Sequence, residues 1–279
     1  MAGKIKDAMA NKFKKYSIGI IGLGTVGGAL ENYFKENGAP LFVYDKNGRG
    51  SLDEVNKADV IFVCVPTPFN KKNGFDLSYV EDAFENILGR KIVVIKSTVL
   101  PGTTEKLQKK YPGHKILFNP EFLTERNAKN DMKFPDKQIV GFTSKSREIA
   151  ENILRILPDA PFKKIVDARD AEMVKYFTNT FLASKVVFAN QMYDLCKKSG
   201  IDYETVKKIV TADNRIGDSH LDIFFDGYRG YGGKCLPKDT RAIIHFADSM
   251  GVDLKLHKTV EEINNNLISG KKYKKCHGK

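Results

Sequence analysis

Residues 17–27 read SIGIIGLGTVG and decide the fold of the first part of the chain. A short run of β-branched residues leads directly into a G-x-G-x-x-G motif, and a helical pattern follows it. In this setting Gly22 allows a tight turn, Gly24 lets the backbone approach a pyrophosphate, and Gly27 lets the helix pack against the strand. The stretch predicts the first strand, turn and helix of a dinucleotide-binding fold.

The type of dinucleotide follows from the residues around this turn. Thr25 and Val26 open the helix, so we expect the phosphates to lie against them, over the helix N-terminus. Asp45 ends the second apolar run, where a carboxylate accepts hydrogen bonds from both ribose hydroxyls of an adenosine and repels a 2′-phosphate. The sequence therefore favours NAD over NADP, although Lys46 and Arg49 leave an opening for NADP.

Apolar runs alternate with helical stretches between residues 16 and 168, which predicts an α/β fold, a Rossmann-like doubly wound parallel sheet with helices on both faces. The runs are continuous and rich in Val and Ile, as in strands buried on both faces. We expect strands at residues 17–21, 41–44, 60–65, 92–97, 115–118, 138–142 and 164–167.

The pattern changes after Asp167, because residues 168–199 contain neither Gly nor Pro and have helical apolar spacing. A smaller, all-helical second domain is expected from there. Its further helices are expected at residues 203–212, 239–250 and 254–267, with a loop rich in glycine and aromatic residues at 227–233.

The net charge of +12 is concentrated at the two ends of the chain, with +4 in residues 1–15 and +5 in residues 271–279. Lysine-rich ends of this kind are typical of solvated tails, and nucleic acid is only a minor alternative partner. We therefore divide the chain into a basic N-terminal extension (1–15), an NAD-binding domain (16–168), a helical domain (169–268) and a basic tail (269–279).

Several classes of protein are disfavoured by the cysteine pattern and by the short apolar runs. Cys64, Cys196, Cys235 and Cys276 form no C-x-x-C pair, so neither a disulfide framework nor a metal site is expected. No run approaches the length of about 20 apolar residues that spans a bilayer, and no secretory signal is readable. A cytoplasmic protein without a membrane partner is the expectation.

Two more strand ends are expected beside the nicotinamide half of the cofactor. The third strand ends in Val65, Thr67 and Pro68, and the fourth ends in Ser97 and Thr98. Ligands of open parallel sheets bind outside the carboxyl ends of the strands, which places both turns at one crevice. The simpler alternative is that the prolines end a strand and that Thr98 caps the next helix.

Cys235 lies in a distinctive loop, GYGGKCLPKD at residues 230–239. A cysteine that follows flexible glycines and precedes a helix can reach a ligand, and its thiolate gains from the helix dipole and from Lys238. Cys64 and Cys196, by contrast, are interpreted as small buried apolar residues.

With this loop, the chain resembles the UDP-glucose/GDP-mannose dehydrogenase family over roughly residues 16–268. The resemblance implies a homodimer formed through the helical domain, and members of the family ordinarily continue into a third domain that has no counterpart here. The motifs that match in order are Gly22 to Gly27 with Asp45, VPTP at 65–68, KSTV at 96–99, NPEFL at 119–123, Lys175 with Asn179, DNRIG at 213–217, and residues 230–239.

The resemblance also implies a reaction, the NAD-dependent four-electron oxidation of a sugar nucleotide such as UDP-glucose to UDP-glucuronate. The intermediates would be a thiohemiacetal and a thioester on Cys235. Lys175 and Asn179 would hold the oxyanions at C6, and their spacing supports this because residues four apart share one helix face. Asp239 and Thr98 would position or activate water, and Glu121 would provide acid/base catalysis on the thioester.

The resemblance also implies which residues contact the substrate. Besides Lys175 and Asn179, they are Phe122, Leu123, Glu125, Arg215, Gly230, Tyr231 and Gly232.

Two other functions remain open at this stage. A two-electron hydroxyacid or alcohol dehydrogenase has a similar two-domain build, but it needs no nucleophilic cysteine. A non-catalytic NAD-binding or nucleic-acid-binding module is the other alternative. Two candidate site residues also have a purely structural interpretation. Lys175 would then be an exposed surface lysine, and Arg215 would form a structural salt bridge.

Overall fold

A computed structural model of the chain describes residues 13, 15–70, 74–124, 126–225 and 227–270. The chain forms two compact units that divide after Lys175. The division falls inside one long helix, α7 (Ala168–Lys198), so the sequence boundary predicted at residue 168 marks the start of this helix.

The first unit is built on an eight-stranded sheet in the order β10-β9-β8-β7-β4-β1-β2-β3. Its strands, with the separate β5–β6 hairpin, are β1 (Ile18–Ile21), β2 (Leu41–Asp45), β3 (Arg49–Gly50), β4 (Val60–Val63), β5 (Phe69–Asn70), β6 (Gly74–Phe75), β7 (Ile92–Ile95), β8 (Lys115–Phe118), β9 (Lys137–Phe142) and β10 (Phe162–Asp167). Its helices are α1 (Thr25–Glu36), α2 (Leu52–Val55), α3 (Ser78–Glu85), α4 (Thr103–Lys110), α5 (Ala128–Lys133) and α6 (Ala150–Ile156), with a 3₁₀ turn at Arg147–Ile149.

The Rossmann-like α/β prediction is confirmed, with a core of parallel pairs from β8 through β7, β4 and β1 to β2. The expectation of a wholly parallel sheet is wrong at both ends, because the short β3 pairs antiparallel with β2 and β9 pairs antiparallel with β8. In the described residues between β8 and β9 the helix is α5, which has six residues. The chain does not return across the sheet there, so β9 starts at the edge where β8 ends.

Both faces of the sheet are buried, as the unbroken apolar runs predicted. Along β4, Val60 and Phe62 pack into one apolar cluster, and Ile61 and Val63 pack into the other. Helices α1 and α6 contribute to the first cluster, and α3 and α4 contribute to the second. This alternation fixes the register of each central strand, because a slip of one residue would exchange its two faces.

Over its described residues, the second unit contains the rest of α7 and three more helices, with one hairpin of two short strands. The all-helical prediction missed this hairpin, in which Phe224 pairs with Arg229 and Phe225 with Tyr228. The elements are α8 (Tyr203–Val210), β11 (Phe224–Phe225), β12 (Tyr228–Arg229), α9 (Leu236–Ser249) and α10 (Lys255–Ile268). Helix α9 begins earlier than predicted because Pro237 is compatible with a first helical turn. Within the described ranges, no helix combines the length and apolarity needed to cross a membrane.

The turn after β1 depends on the absence of a side chain at Gly27. A Cβ atom there would lie 1.9 Å from the carbonyl oxygen of Gly22, whereas a Cβ on the neighbouring Gly28 meets only the Leu23 carbonyl oxygen at 3.5 Å. We expect Gly27→Ala to lower the free energy of unfolding by about 3 kcal/mol, as overpacking does. Gly28→Ala is the matched control, and it should be neutral or stabilising by up to about 1 kcal/mol because alanine favours the helix. Urea unfolding measures both, and equal stability of the two variants would contradict this account of the turn.

Candidate active site

The glycine turn leaves an open backbone surface at the N-terminus of α1. Gly22 has φ +91°, which suits glycine alone, and a Cβ there would meet the Cys64 carbonyl oxygen at 2.8 Å. Gly24 and Thr25 are exposed, and a Cβ on Gly24 would have no neighbour within 4 Å. The first-turn amides of α1 therefore face a space that a pyrophosphate fits. Gly24 caps the helix without a side chain, so no hydroxyl or carboxylate competes for these amides.

Asp45 lies at the end of β2, where the sequence predicted it. Its Oδ2 accepts a hydrogen bond from the Leu23 amide at 2.7 Å, and its Oδ1 accepts one from the Asn47 amide at 2.9 Å. These two hydrogen bonds lower the pKa of Asp45, so it is a carboxylate at neutral pH. Each oxygen keeps a lone pair for a ribose hydroxyl.

The two cations that left an opening for NADP have other partners. Arg49 forms two hydrogen bonds to the carboxylate of Glu31, at 2.7 and 3.2 Å. The Lys46 ammonium lies over the ring of Tyr79, 4.4 Å from its centroid. Because both cations are engaged and Asp45 is charged, the pocket fits the unphosphorylated ribose of NAD.

The turns after β4 and β7 are fastened to each other by buried hydroxyl groups. Thr67 Oγ1 donates to the carbonyl oxygen of Thr98 at 2.8 Å, and Ser97 Oγ donates to that of Val65 at 2.7 Å. The predicted cofactor residues Thr67 and Ser97 thus use their hydroxyls to shape the crevice. Thr98 is half-buried, and Pro68 is exposed beside the buried Thr67.

Glu121 and Lys175 form an ion pair that sequence spacing did not suggest. The Lys175 ammonium lies 2.7 Å from Glu121 Oε1, and both side chains are almost fully buried. Glu121 Oε2 also accepts the Leu123 amide at 2.8 Å. Burial alone would raise the pKa of Glu121, but Lys175 and the amide outweigh it, and the pKa lies below the ordinary value. Lys175 is therefore not the exposed lysine of the simpler alternative.

The segment after Glu121, predicted to contact the substrate, begins with an aromatic ring between cations. The Phe122 ring centroid lies 4.1 Å from the Lys137 ammonium and 5.8 Å from that of Lys175. Leu123 is half-buried and contributes its amide to Glu121. Glu125 lies outside the described residues.

In the second unit, a buried carboxylate joins Asn179 to the cysteine loop. Asp239 accepts a hydrogen bond from Asn179 Nδ2 at 2.5 Å and one from the Lys238 ammonium at 2.6 Å. Cys235 is half-buried and caps α9, as predicted, and its carbonyl oxygen accepts the Asp239 amide at 2.9 Å. The cysteine is thus held at a helix N-terminus, one turn before a fixed carboxylate.

The glycine loop before Cys235 is held by backbone contacts. Asn264 on α10 accepts from the Tyr231 amide at 2.7 Å and donates to the Tyr231 carbonyl oxygen at 2.9 Å. The Tyr231 ring is buried in an apolar cluster, and its backbone amide and carbonyl both contact Asn264, so the side chain is not presented to a ligand. A Cβ on Gly230 or on Gly232 would overlap Asn264 or Tyr228, which explains both glycines.

Family membership follows from two matches and one solved structure. The models for the NAD-binding domain and the central domain of the UDP-glucose/GDP-mannose dehydrogenase family match residues 50–157 and 169–266. A solved UDP-glucose dehydrogenase from the archaeon Pyrobaculum islandicum is 31% identical, with a TM-score of 0.80 over 90% of this chain and 68% of that chain. The chain belongs to the UDP-glucose/GDP-mannose dehydrogenase family. NAD is its cofactor, in agreement with the open glycine turn and the charge on Asp45.

Curated relatives within this family agree with the assignment. UDP-glucose 6-dehydrogenases from Rickettsia felis and Pseudomonas aeruginosa are 37% and 36% identical over 76% and 74% of this chain. The chain spans about half the length of these relatives, 49% and 48%. A solved GDP-mannose dehydrogenase from Pseudomonas aeruginosa is 28% identical, with a TM-score of 0.63, 90% of this chain and 69% of that chain being covered.

Arg215, expected in this family to contact the sugar nucleotide, is exposed and pairs with Asp213 at 2.6 Å. This local ion pair is the structural alternative considered for it, and its role towards a substrate stays a prediction.

Sequence reasoning missed Arg229, which fastens the glycine loop of this family member to α7. Its buried guanidinium donates to Asn190 Oδ1 at 2.8 Å and to Asp194 Oδ1 at 2.7 Å, and it lies over the Tyr193 ring. The sequence signal that could have indicated it is the pair Asn190 and Asp194, four residues apart on α7. Two polar residues on one packed helix face need a hydrogen-bonding partner.

The buried ion pair predicts a pH-dependent stability difference. Lys175→Met leaves Glu121 as an unpaired buried carboxylate, so we expect about 3 kcal/mol of destabilisation at neutral pH, most of it restored by adding Glu121→Gln. The folded pKa of Glu121 is depressed, so the stabilisation is present above the ordinary glutamate pKa and is lost as pH falls through the folded value. The difference between wild type and Lys175→Met should therefore shrink as the pH falls below the ordinary glutamate pKa of about 4.3.

Urea unfolding at several pH values measures this difference. Lys163→Met is the control, because Lys163 pairs with Asp159 on the surface and should contribute less than about 1 kcal/mol. A Lys175→Met penalty that is as small as the control, or that does not depend on pH, would contradict the ion pair.

Proposed function

We propose that this chain oxidises the C6 alcohol of a sugar nucleotide, UDP-glucose in the first instance, to the carboxylate. The observation that supports this most strongly is Cys235, half-buried at the N-terminus of α9 and one turn before the buried Asp239. A cysteine in this position can form a covalent bond to an aldehyde carbon, which a simple alcohol dehydrogenase does not need. NAD, when bound, accepts one hydride in each of the two oxidations.

The cysteine makes the second oxidation possible. Once C6 is an aldehyde, the Cys235 thiolate adds to it, and the resulting oxyanion takes a proton to give a thiohemiacetal. Loss of hydride from C6 and of the hydroxyl proton gives a thioester. Water then adds to the thioester carbon, the C–S bond breaks, and the carboxylate and the thiolate are released.

Lys175 and Asn179 are proposed to stabilise the oxyanions at C6. They lie four residues apart on α7, so an ammonium and an amide point from one helix face. Each is held by a buried carboxylate, Lys175 by Glu121 and Asn179 by Asp239, so neither must reorganise during the reaction.

Glu121, Asp239 and Thr98 are proposed to handle the water and its protons. Glu121 is charged and can accept a proton from the water that attacks the thioester. Asp239 and Thr98 would orient that water, and Lys238 would contact the cofactor.

The sugar nucleotide is proposed to lie against Phe122, Leu123, the loop Gly230 to Gly232, and Arg215. Phe122 offers a ring face beside two cations, and the backbone of the glycine loop is held rigidly by Asn264 at Tyr231. The basic segment 271–275, which lies outside the described residues, is a further candidate for the nucleotide end. A cytoplasmic location and supply of uronic acid to polysaccharide synthesis complete the proposal.

NADH counting tests the reaction. With limiting UDP-glucose we expect about two NADH per sugar, because both oxidations occur on one carbon. Cys235→Ser should lower full turnover at least about a thousandfold, since no thioester forms, while the buried Cys196→Ala should retain the stoichiometry. The measurement is NADH absorbance over a panel of UDP-glucose, UDP-N-acetyl sugars and GDP-mannose.

Two results would contradict the proposal. One NADH per sugar together with an active Cys235→Ser variant would indicate a two-electron dehydrogenase. Salt-dependent nucleic-acid binding without turnover would indicate a binding module.

A homodimer through α7 is also proposed. This helix exposes an apolar stripe, defined as Phe177, Phe181, Phe188, Met192 and Leu195. Its members are spaced by three, four or seven residues and lie along one side of the helix, and such a patch on a monomer would be unusual. A second copy of the same helix would cover it with a matching surface.

Charge in the stripe should break the dimer. Phe188→Asp is expected to shift the protein from dimer to monomer at low micromolar concentration, because a carboxylate in an apolar interface is strongly unfavourable. The control is Phe134→Asp, since Phe134 on the first unit is similarly exposed, 67% against 63%. Sedimentation velocity measures the mass, and a monomeric wild type, or a dimer retained by Phe188→Asp, would contradict the proposal.

A further inference from the structure

Lys96 is a buried lysine that takes no part in the proposed reaction. It directly follows β7, and only 3% of it is exposed. Its ammonium donates a hydrogen bond of 2.6 Å to Asn119 Oδ1 and lies 3.5 Å from the Asn119 carbonyl oxygen. Burying an ammonium in this way costs free energy unless hydrogen bonds and a nearby negative charge compensate for the lost hydration.

The partner amide is fixed in one orientation. Asn119 is fully buried, and its Nδ2 donates to the Ile139 carbonyl oxygen at 2.7 Å and to Gln138 Oε1 at 3.2 Å. The amide nitrogen therefore belongs on the β9 side, and the amide oxygen must face Lys96. Lys96 completes a chain of hydrogen bonds from β7 to β9 that passes through the turn Asn119 to Glu121.

The charges around Lys96 point to Glu121. Lys96 interacts electrostatically with Cys64, Glu121 and Lys175. Burial raises the pKa of Cys64 to about 12, so this neighbour is a neutral thiol and does not balance the ammonium. Lys175 has the same sign as Lys96, which leaves the Glu121 carboxylate as the negative charge that interacts with both lysines. The pKa of Lys96 is itself lowered by burial, to about 8.

We propose that Lys96 is a positioning residue that holds the Asn119–Glu121 turn and keeps Glu121 ionised, so that Glu121 can act as the base of thioester hydrolysis. The catalytic part of this inference rests on the proposed function. In that step a water oxygen bonds to the thioester carbon and its proton passes to Glu121. The C–S bond then breaks, Cys235 leaves as thiolate, and the carboxylic acid and Glu121 release their protons to solvent.

The first test needs no substrate. Carboxyl ¹³C NMR of glutamate-labelled protein, with the Glu121 signal assigned by Glu121→Gln, follows the ionisation of Glu121. In wild type we expect a second inflection of this signal near pH 8, where Lys96 loses its proton. We expect Lys96→Met to raise the titration midpoint of Glu121 and Lys96→Arg to restore it.

Lys91→Met is the matched control. Lys91 directly precedes β7 as Lys96 directly follows it, and its ammonium donates to the Ala58 carbonyl oxygen at 2.8 Å. The midpoint of Glu121 should not move in this variant. If Lys96→Met does not fold, the wild-type titration decides alone. Absence of the inflection near pH 8, or an unchanged Glu121 midpoint in folded Lys96→Met, overturns the inference.

The second test is kinetic. The acid limb of kcat should move to higher pH in Lys96→Met, with about tenfold loss at acidic pH, and should return in Lys96→Arg. A uniform loss at all pH values would indicate a merely structural role and would contradict the assignment to Glu121. A wild type that oxidises no sugar nucleotide would refute the proposed function, whereas the NMR result would still decide whether Lys96 controls the charge of Glu121.

Discussion

Three polar side chains buried along one helix constrain the segments that they contact. Glu172, Lys175 and Asn179 are spaced by three and four residues on α7, so they share one face. Each loses its hydration and needs a partner of matching charge or hydrogen-bonding type. The partners are loops and helix ends that the proposed chemistry uses, so the need to satisfy buried groups also orders the functional segments.

The contacts of Glu172 illustrate this constraint. Its carboxylate accepts hydrogen bonds from the amide and the hydroxyl of Thr104, at 2.8 and 2.6 Å, and so caps α4 behind the turn that contains Thr98. Burial raises the pKa of Glu172 to about 7 in spite of these bonds. Lys175 likewise fixes the turn after β8 through its ion pair with Glu121. Asn179 fixes the start of α9 through its hydrogen bond to Asp239. The direction of β9 also contributes, because it brings Gln138 and Ile139 to the strand edge where Asn119 needs an acceptor.

Much of the fold was predictable because its signals are local. The glycine turn, the apolar strand runs and the Gly- and Pro-free length of α7 each depend on neighbouring residues only. The direction of β9 was not predictable, because it depends on the path of the chain between β8 and β9 and not on the residues of the strand itself. The β11–β12 hairpin was not detectable because its strands are too short to show periodicity.

For the site, the sequence identified motif residues such as Cys235 and Asp45, but it did not identify the residues that they contact. The pairing of Glu121 with Lys175, the anchoring of Arg229 by Asn190, and the burial of the Tyr231 ring arise from tertiary packing between residues far apart in sequence.

The central claim is that the Cys235 sulfur forms a bond to the sugar carbon after that carbon has been oxidised. Rapid acid quenching of Glu121→Gln with NAD and UDP-glucose, followed by peptide mass spectrometry, tests it most directly, because slowed hydrolysis lets a thioester accumulate. The account predicts a UDP-glucuronyl adduct on the peptide that contains Cys235, formed only when NAD is present. Conversion of the sugar to its carboxylate with every cysteine unmodified at all times, or an adduct on Cys64 or Cys196 instead, would contradict it.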